Sequence, residues 1–188
     1  DLSPGQVLED LDMSPGDLTL ISGGPPCQSY STAGKRQAIV DPRGNLIFKF
    51  ADWIRAIQPQ FFLMENVRGL LSAAIRHRPL RLRDGSSSNL EEDEELGSVF
   101  RDIILPLFED DLGYKVSYGI LNALDYGTAQ DRKRLIIIGS RDHSLIEYRD
   151  GICPIDSLVP PTHGPDPLEP RRTLRDALDG LHDPLPEY

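Results

Sequence analysis

Residues 46–64 read LIFKFADWIRAIQPQFFLM, and the order of signals within them decides the fold. Leu46, Phe50, Ile54 and Ile57 recur at helical spacing behind Gly44 and Asn45, which predicts an amphipathic helix that stops near Pro59. The apolar run Phe61 to Met64 comes at once after it and reads as a strand. Upstream, Leu18 to Ser22 forms another short, mainly apolar run, halted by Gly23, Gly24, Pro25 and Pro26; it reads as a buried strand closed by a rigid turn. Strand, helix, strand in this order is a parallel crossover unit, so both strands end on the same edge of a sheet. That edge is where open α/β sheets bind ligands. Cys27 lies just past the turn and Glu65 directly after the second run, so a thiol and a carboxylate are expected to share one crevice.

Working further outward, Val99, Phe100, Ile103, Ile104 and Leu107 predict another helix, in which Pro106 removes one hydrogen bond and starts, kinks or shortens it. Tyr114 to Leu121 and Leu135 to Gly139 read as two more strands, rich in β-branched and aromatic residues. Between them runs NALDYGTAQDRKR, residues 122–134. Its Arg132 and Arg134 stand two apart at the entrance to a strand, a spacing that points both to one face. The stretch before Leu18 reads as turn-rich. Ile75 to Glu95, a basic block, a DGSSSN spacer and an acidic block, reads as a surface insertion occupying about 75–97. From Pro154 onward, Pro, Asp and His predict a loop leaving the domain, with one short helix near Thr173 to Leu181 capped by Thr173.

With 188 residues, 39% of them hydrophobic, the chain has room for one domain with a sizeable core. No apolar run is long enough to cross a bilayer and no charged-then-apolar leader opens the sequence, so neither membrane insertion nor secretion is indicated. Cys27 and Cys153 lie far apart, with neither metal-ligand nor disulfide-type spacing, which fits a reducing, cytoplasmic setting and no metal. A net charge of −10 argues against wrapping nucleic acid over the whole surface; any DNA-binding surface must be local.

Four blocks in sequence order, GGPPCQSYSTAGKR, DPRGNLI, ENVRGLL and NALDYGTAQDRKR, span Gly23 to Gly139 together with the strand after them. They resemble the ordered motifs of the DNA cytosine-5 methyltransferase family. The resemblance implies an α/β fold, part of a doubly wound Rossmann-like sheet that binds S-adenosylmethionine, with double-stranded DNA as substrate. It implies that Cys27 is the nucleophile attacking carbon 6 of a flipped cytosine, a thiolate favoured by backbone N–H groups at a turn. Glu65 matches the glutamate that bonds ring nitrogen 3 and the exocyclic amine, for which it must carry a proton at least transiently. Arg132 and Arg134 match arginines that hold the ring carbonyl and the catalytic carboxylate. Gln28, Ser31, Lys35, Arg43 and Gln130 match DNA-contacting positions, and Asp1, Leu2, Pro26 and Leu46 cofactor-lining ones. Tyr30 stands where Phe is frequent, which keeps the ring.

The family's glycine-rich cofactor loop and ribose-binding acid belong upstream of the matched portion, and nothing in Asp1 to Gly16 supplies them. The family's target recognition region would begin after TLRDALDGL. Residues 1–153 are therefore expected to be the C-terminal half of a catalytic domain and 154–188 a linker towards the recognition region. The missing parts are expected in the same longer chain or in a second subunit, and the source to be bacterial. Two competing functions use the same motifs: a tRNA cytosine-5 methyltransferase, and a catalytically silent homologue, against which the intact Cys27, Glu65 and Arg134 speak. A zinc-dependent base deaminase needs paired cysteines near a further metal ligand, and Cys27 and Cys153 do not provide that.

Overall fold

The structure, a computed structural model, describes residues 2–26, 46–76, 91–142, 155–166 and 168–180. Its centre is a four-stranded sheet of β1 (Leu20–Gly23), β2 (Phe61–Val67), β3 (Lys115–Asn122) and β4 (Lys133–Ser140), in the spatial order β1-β2-β4-β3. β1 and β2 are parallel and joined by helix α2 (Leu46–Ile57), the expected crossover unit. β3 and β4 form an antiparallel hairpin, and β4 inserts beside β2, also antiparallel. This reversal lays the first residues of β4 beside the last residues of β2, at the edge where the crossover unit ends.

Alternation sorts the side chains of β2. Phe62, Met64 and Asn66 are buried on one face, opposite Gly139, Ile137 and Leu135 of β4. α2 covers that face with Ile47, Ala51, Ile54 and Ile57, so the apolar stripe is centred one position away from Leu46 and Phe50, which fall on its margin. A run of wide helical turns completes the layer with Val99, Phe100, Ile104, Leu107 and Phe108. Pro106 sits within that run with helical backbone angles, between two segments of π-type turns, Phe100–Ile104 and Leu107–Asp111. A proline ring clashes with the carbonyl four residues back and brings no N–H; a widened turn accommodates it without ending the helix. Phe62 lies at the middle of the core, against Phe108 with ring centroids 4.6 Å apart and edge-on to Tyr114 at 5.2 Å.

The stretch before Leu18, expected to be turns, holds helix α1 (Pro4–Asp10). Ser3 caps it by accepting a bond from the Gln6 N–H, and Pro4 occupies the first turn, where a missing N–H costs nothing. The acidic end of the expected insertion is fastened down: Ile75 N–H donates to Ser98 Oγ, Arg76 N–H to the Asp93 carbonyl, and Glu94 is buried beside Arg76. Just beyond Pro154 the chain packs on the sheet through α3 (Ile155–Leu158). Ile155 is buried on Gly119, and a short helix α4 (Leu174–Leu178) starts at Thr173 with the expected cap, reciprocated by Asp176. Among the described residues no helix is long and apolar enough to cross a membrane.

Candidate active site

β2 runs to Val67, so Glu65 lies inside the strand rather than directly after it, as the apolar run alone predicts. β4 pairs Arg134 with Val67, two residues on from Glu65, and residues two apart share a face. Arg134 and Glu65 therefore meet diagonally across the ladder, with Nε 2.7 Å from Oε1. The contact is a charge-assisted one, and both side chains keep partial access to solvent, 27% for Arg134 and 40% for Glu65. Arg134 also donates through Nη1 to the Lys133 carbonyl at 2.9 Å, which fixes the guanidinium plane at a second point. Arg68, the other arginine near Glu65 in sequence, has no carboxylate partner among the described residues.

The turn after β1 closes over this pair. A methyl group at Gly24 would stand in van der Waals contact with Glu65, 3.4 Å from Oε2, so the turn backbone lies directly beside the carboxylate. Asn66, 3% exposed, donates its side-chain amide to the Pro25 carbonyl at 3.1 Å and accepts from the Val67 N–H at 2.9 Å. The same strand thus supplies the acid and anchors the turn two residues before Cys27. Cys27, Gln28, Ser31, Lys35 and Arg43 lie outside the described residues, as does Asp1.

The loop from β3 to β4 brings the other candidates in. Asn122 holds its neck: Oδ1 accepts from the N–H groups of Arg132 at 3.0 Å and Leu124 at 3.4 Å, while Nδ2 donates to Asp131 at 2.9 Å. Its tip is held by the chain beyond α3. The Asp125 carbonyl accepts from the N–H groups of Thr162 and His163, Arg171 pairs with the Asp125 carboxylate, and the Tyr126 hydroxyl donates to the Val159 carbonyl. Gly127, at φ 82, lies under the His163 ring so closely that a Cβ would come within 2.7 Å of Cε1. Burial, with Asp156 and Asp125 nearby, pushes the Tyr126 phenol up from its ordinary range. Loop and strand ends enclose an open polar cleft of about 410 Å³ lined by Val67, Arg68, Gln130, Asp131, Arg132, Lys133 and Arg134.

The structure thus brings together Glu65, Arg134, Arg132 and Gln130 on one sheet edge. Leu2, 65% exposed, and Leu46, half-buried at the start of α2, line neither described cavity, and no polar cofactor-binding set surrounds them among the described residues. Sequence reasoning missed Asn66 and Asn122. Both were inside quoted motifs, but an Asn signals a role only when its partners are known. It also missed the Asp125–Arg171 pair, 46 residues apart in the chain.

A mixed four-stranded α/β sheet with a parallel crossover unit is a Rossmann-like arrangement, and the acid–guanidinium pair stands at the edge where its parallel strands end. A family model described as C-5 cytosine-specific DNA methylase matches residues 6–183, and the chain belongs to that family. It is 41% identical over 175 residues to the Type II methyltransferase M.FnuDI of Fusobacterium nucleatum, covering 93% of this chain and 40% of the relative. It is 35% identical over 170 residues to M.MthTI of Methanothermobacter thermautotrophicus, covering 90% and 40%. It is 32% identical over 188 residues to M.AquIA of Picosynechococcus sp., covering 93% and 65%. The chain thus spans 40 to 65% of the length of these relatives. Among solved structures, a protein described as a DNA modification methyltransferase encoded within an E. coli prophage shares the fold, with a TM-score of 0.55 and 23% identity over 97% of this chain and 40% of that one.

Proposed function

We propose that this chain carries the catalytic residues of a DNA cytosine-5 methyltransferase that acts on a base flipped out of the duplex. The observation that carries the proposal is the joint placement of the Glu65–Arg134 pair and the turn leading to Cys27, the turn being tied to β2 by Asn66. In this reading the Cys27 thiolate forms a bond to carbon 6 of cytosine, and the ring electrons move to carbon 5. Glu65 accepts from the exocyclic amine and shares a proton with ring nitrogen 3 as charge develops there. Arg134 orients Glu65, and Arg132 and Gln130 face the same cleft from the loop. S-adenosylmethionine, when bound, would supply an electrophilic methyl group to carbon 5, its sulfonium sulfur leaving as a neutral thioether. The carbon 5 proton then leaves to solvent, the carbon 6–sulfur bond breaks, and the thiolate and aromatic ring are restored. Extrusion of the base costs a few kcal/mol of stacking and pairing, which contacts in the cleft offset.

For the cofactor, the resemblance points to Pro26, just past β1, and Leu46, the first residue of α2, as apolar neighbours. Its polar contacts fall to residues other than those described. A bacterial cytoplasm, where duplex DNA and reduced thiols occur together, is the setting this reading implies.

Covalent trapping tests the proposal. Duplex DNA carrying 5-fluorocytosine blocks loss of the substituent at carbon 5, so in the presence of S-adenosylmethionine the full protein should form a denaturation-resistant adduct that Cys27→Ala abolishes. Absence of an adduct from wild-type protein that binds both cofactor and DNA would make the chain a silent homologue. The same protein methylating tRNA in preference to duplex DNA would overturn the choice of substrate.

A further inference from the structure

The β2–β4 ladder ends at the pair Val67 and Arg134. Arg68 opens the turn Arg68–Ser72 directly after β2, and Lys133 is the first residue of β4, next to Arg134 in the chain. Both are exposed, both line the cleft beside the Glu65–Arg134 pair, and neither has a carboxylate partner among the described residues. Like charges gathered at one rim repel each other unless a counter-charge lies between them. Of the nearby acids, Glu65 is engaged by Arg134, and Asp131, held by the uncharged Asn122 amide, is a single counter-charge on a rim of several cations. Arg132, also exposed and without a carboxylate partner among the described residues, adds a third positive charge to the rim. In a chain whose net charge is −10, such a concentration at the mouth of one cleft makes a local positive site that attracts an anion.

We infer that Arg68 and Lys133 grip a backbone phosphate of the DNA strand whose base enters the cleft, an assignment that rests on the proposed function and adds two residues to it. A phosphate held by both cations makes charge-assisted contacts with each. The contacts carry no sequence information, so they set affinity and register for any duplex, while Glu65 and Arg134 act on the base. A division of labour at one sheet edge results.

Salt dependence reads this directly. Each phosphate contact contributes about 0.9 to the slope of log K against log salt, which corresponds to about eight-fold in affinity at 0.1 M salt. In the full protein, Arg68→Ala and Lys133→Ala should each lower the slope by up to about 1 and weaken binding several-fold, equally for duplexes of unrelated sequence. Arg68→Lys and Lys133→Arg should keep the slope. Both alanine variants should unfold at about the wild-type temperature, since each removes an exposed side chain that has no carboxylate partner among the described residues. Unchanged slope and affinity in both alanine variants, with wild-type protein still forming the 5-fluorocytosine adduct, would overturn the phosphate assignment and leave the catalytic reading standing. So would calorimetry in which Arg68→Ala loses inorganic phosphate binding but not duplex binding. Wild-type protein that neither binds duplex DNA with a salt-dependent constant nor forms the adduct would sink both.

Discussion

Replacing Asn66 by Ala separates the anchoring of the turn from the stability of the fold. The Asn66 side chain is almost fully buried and makes two bonds, to the Pro25 carbonyl at 3.1 Å and from the Val67 N–H at 2.9 Å. Each is worth about 1 kcal/mol net, and a buried partner left unpaired costs about 1–3 kcal/mol. Pro25 is only half-buried and Val67 is exposed, so water replaces part of what is lost. The net loss is about 1–2 kcal/mol, which for a chain of this size corresponds to a fall in Tm of about 2–8 °C. The effect on catalysis should be larger. Pro25 stands two residues before Cys27, and a displacement of the nucleophile by about 1 Å costs roughly 100-fold in rate. Single-turnover methylation of a cognate duplex at saturating cofactor, run beside urea denaturation, gives both numbers. Asn66→Asp should be at least as damaging, since it presents oxygen to the Pro25 carbonyl. Asn66→Ala with the expected loss of stability but a rate within three-fold of wild type would refute the positioning role.

Packing and titration give three further expected outcomes. Gly139→Ala would place a Cβ 1.9 Å from Cε1 of the fully buried Phe62, so the ring must move against Phe108 and Tyr114; a loss of about 1–3 kcal/mol is expected in thermal or urea unfolding, and a variant as stable as wild type would mean the ring has room to shift. Burial pushes the Tyr114 phenol up to about 12, and its hydroxyl donates to the Pro59 carbonyl at 2.6 Å. The unfolded chain therefore loses this proton from about pH 10 and the folded one only near 12, so stability from this group is complete below about pH 10 and falls as pH rises to 12. Tyr114→Phe should remove that part of the alkaline slope and cost about 1 kcal/mol at neutral pH, readable by urea denaturation at pH 8 and pH 11. Asp125→Asn breaks a partly exposed ion pair worth at most about 1 kcal/mol, so Tm should hardly move, yet amide exchange across residues 123–132 should quicken. Unchanged exchange there would show that the Arg171 contact does not hold the loop.

The crossover unit was legible because its signals are local: a helical period in residues 46–57, an apolar run from Phe61, and a turn rich in Gly and Pro after β1. The cap at Thr173 was legible for the same reason. Helix α1 was not, since Pro4 and Gly5 read as turn residues until Ser3 is seen bonding the Gln6 N–H. Nor was the wide helical geometry around Pro106, which depends on packing of Phe100, Ile104 and Phe108 against the sheet.

For the candidate site, strand order and spacing pointed to a carboxylate, Glu65, and to two arginines on one face, Arg132 and Arg134, while Gln130 and the role of each residue came from the resemblance of the motifs. Composition and spacing contain no direction for β4, however. Its antiparallel insertion beside β2 places Arg134 on Glu65 and brings the first residues of β4 to the end of β2 that Arg68 follows. Had β4 run parallel to β2, its first residues would lie at the opposite end of the sheet and the Glu65–Arg134 pair could not form. The chain order thus determined which chemical groups are available and that two strands share an edge. Which cation engages the acid, which one holds the loop tip and which asparagine holds the turn after β1 were decided by contacts between residues 41 to 69 apart, Asn66–Pro25, Arg171–Asp125 and Glu65–Arg134. Such pairings form only once loop closure has been offset by burial of the core they surround.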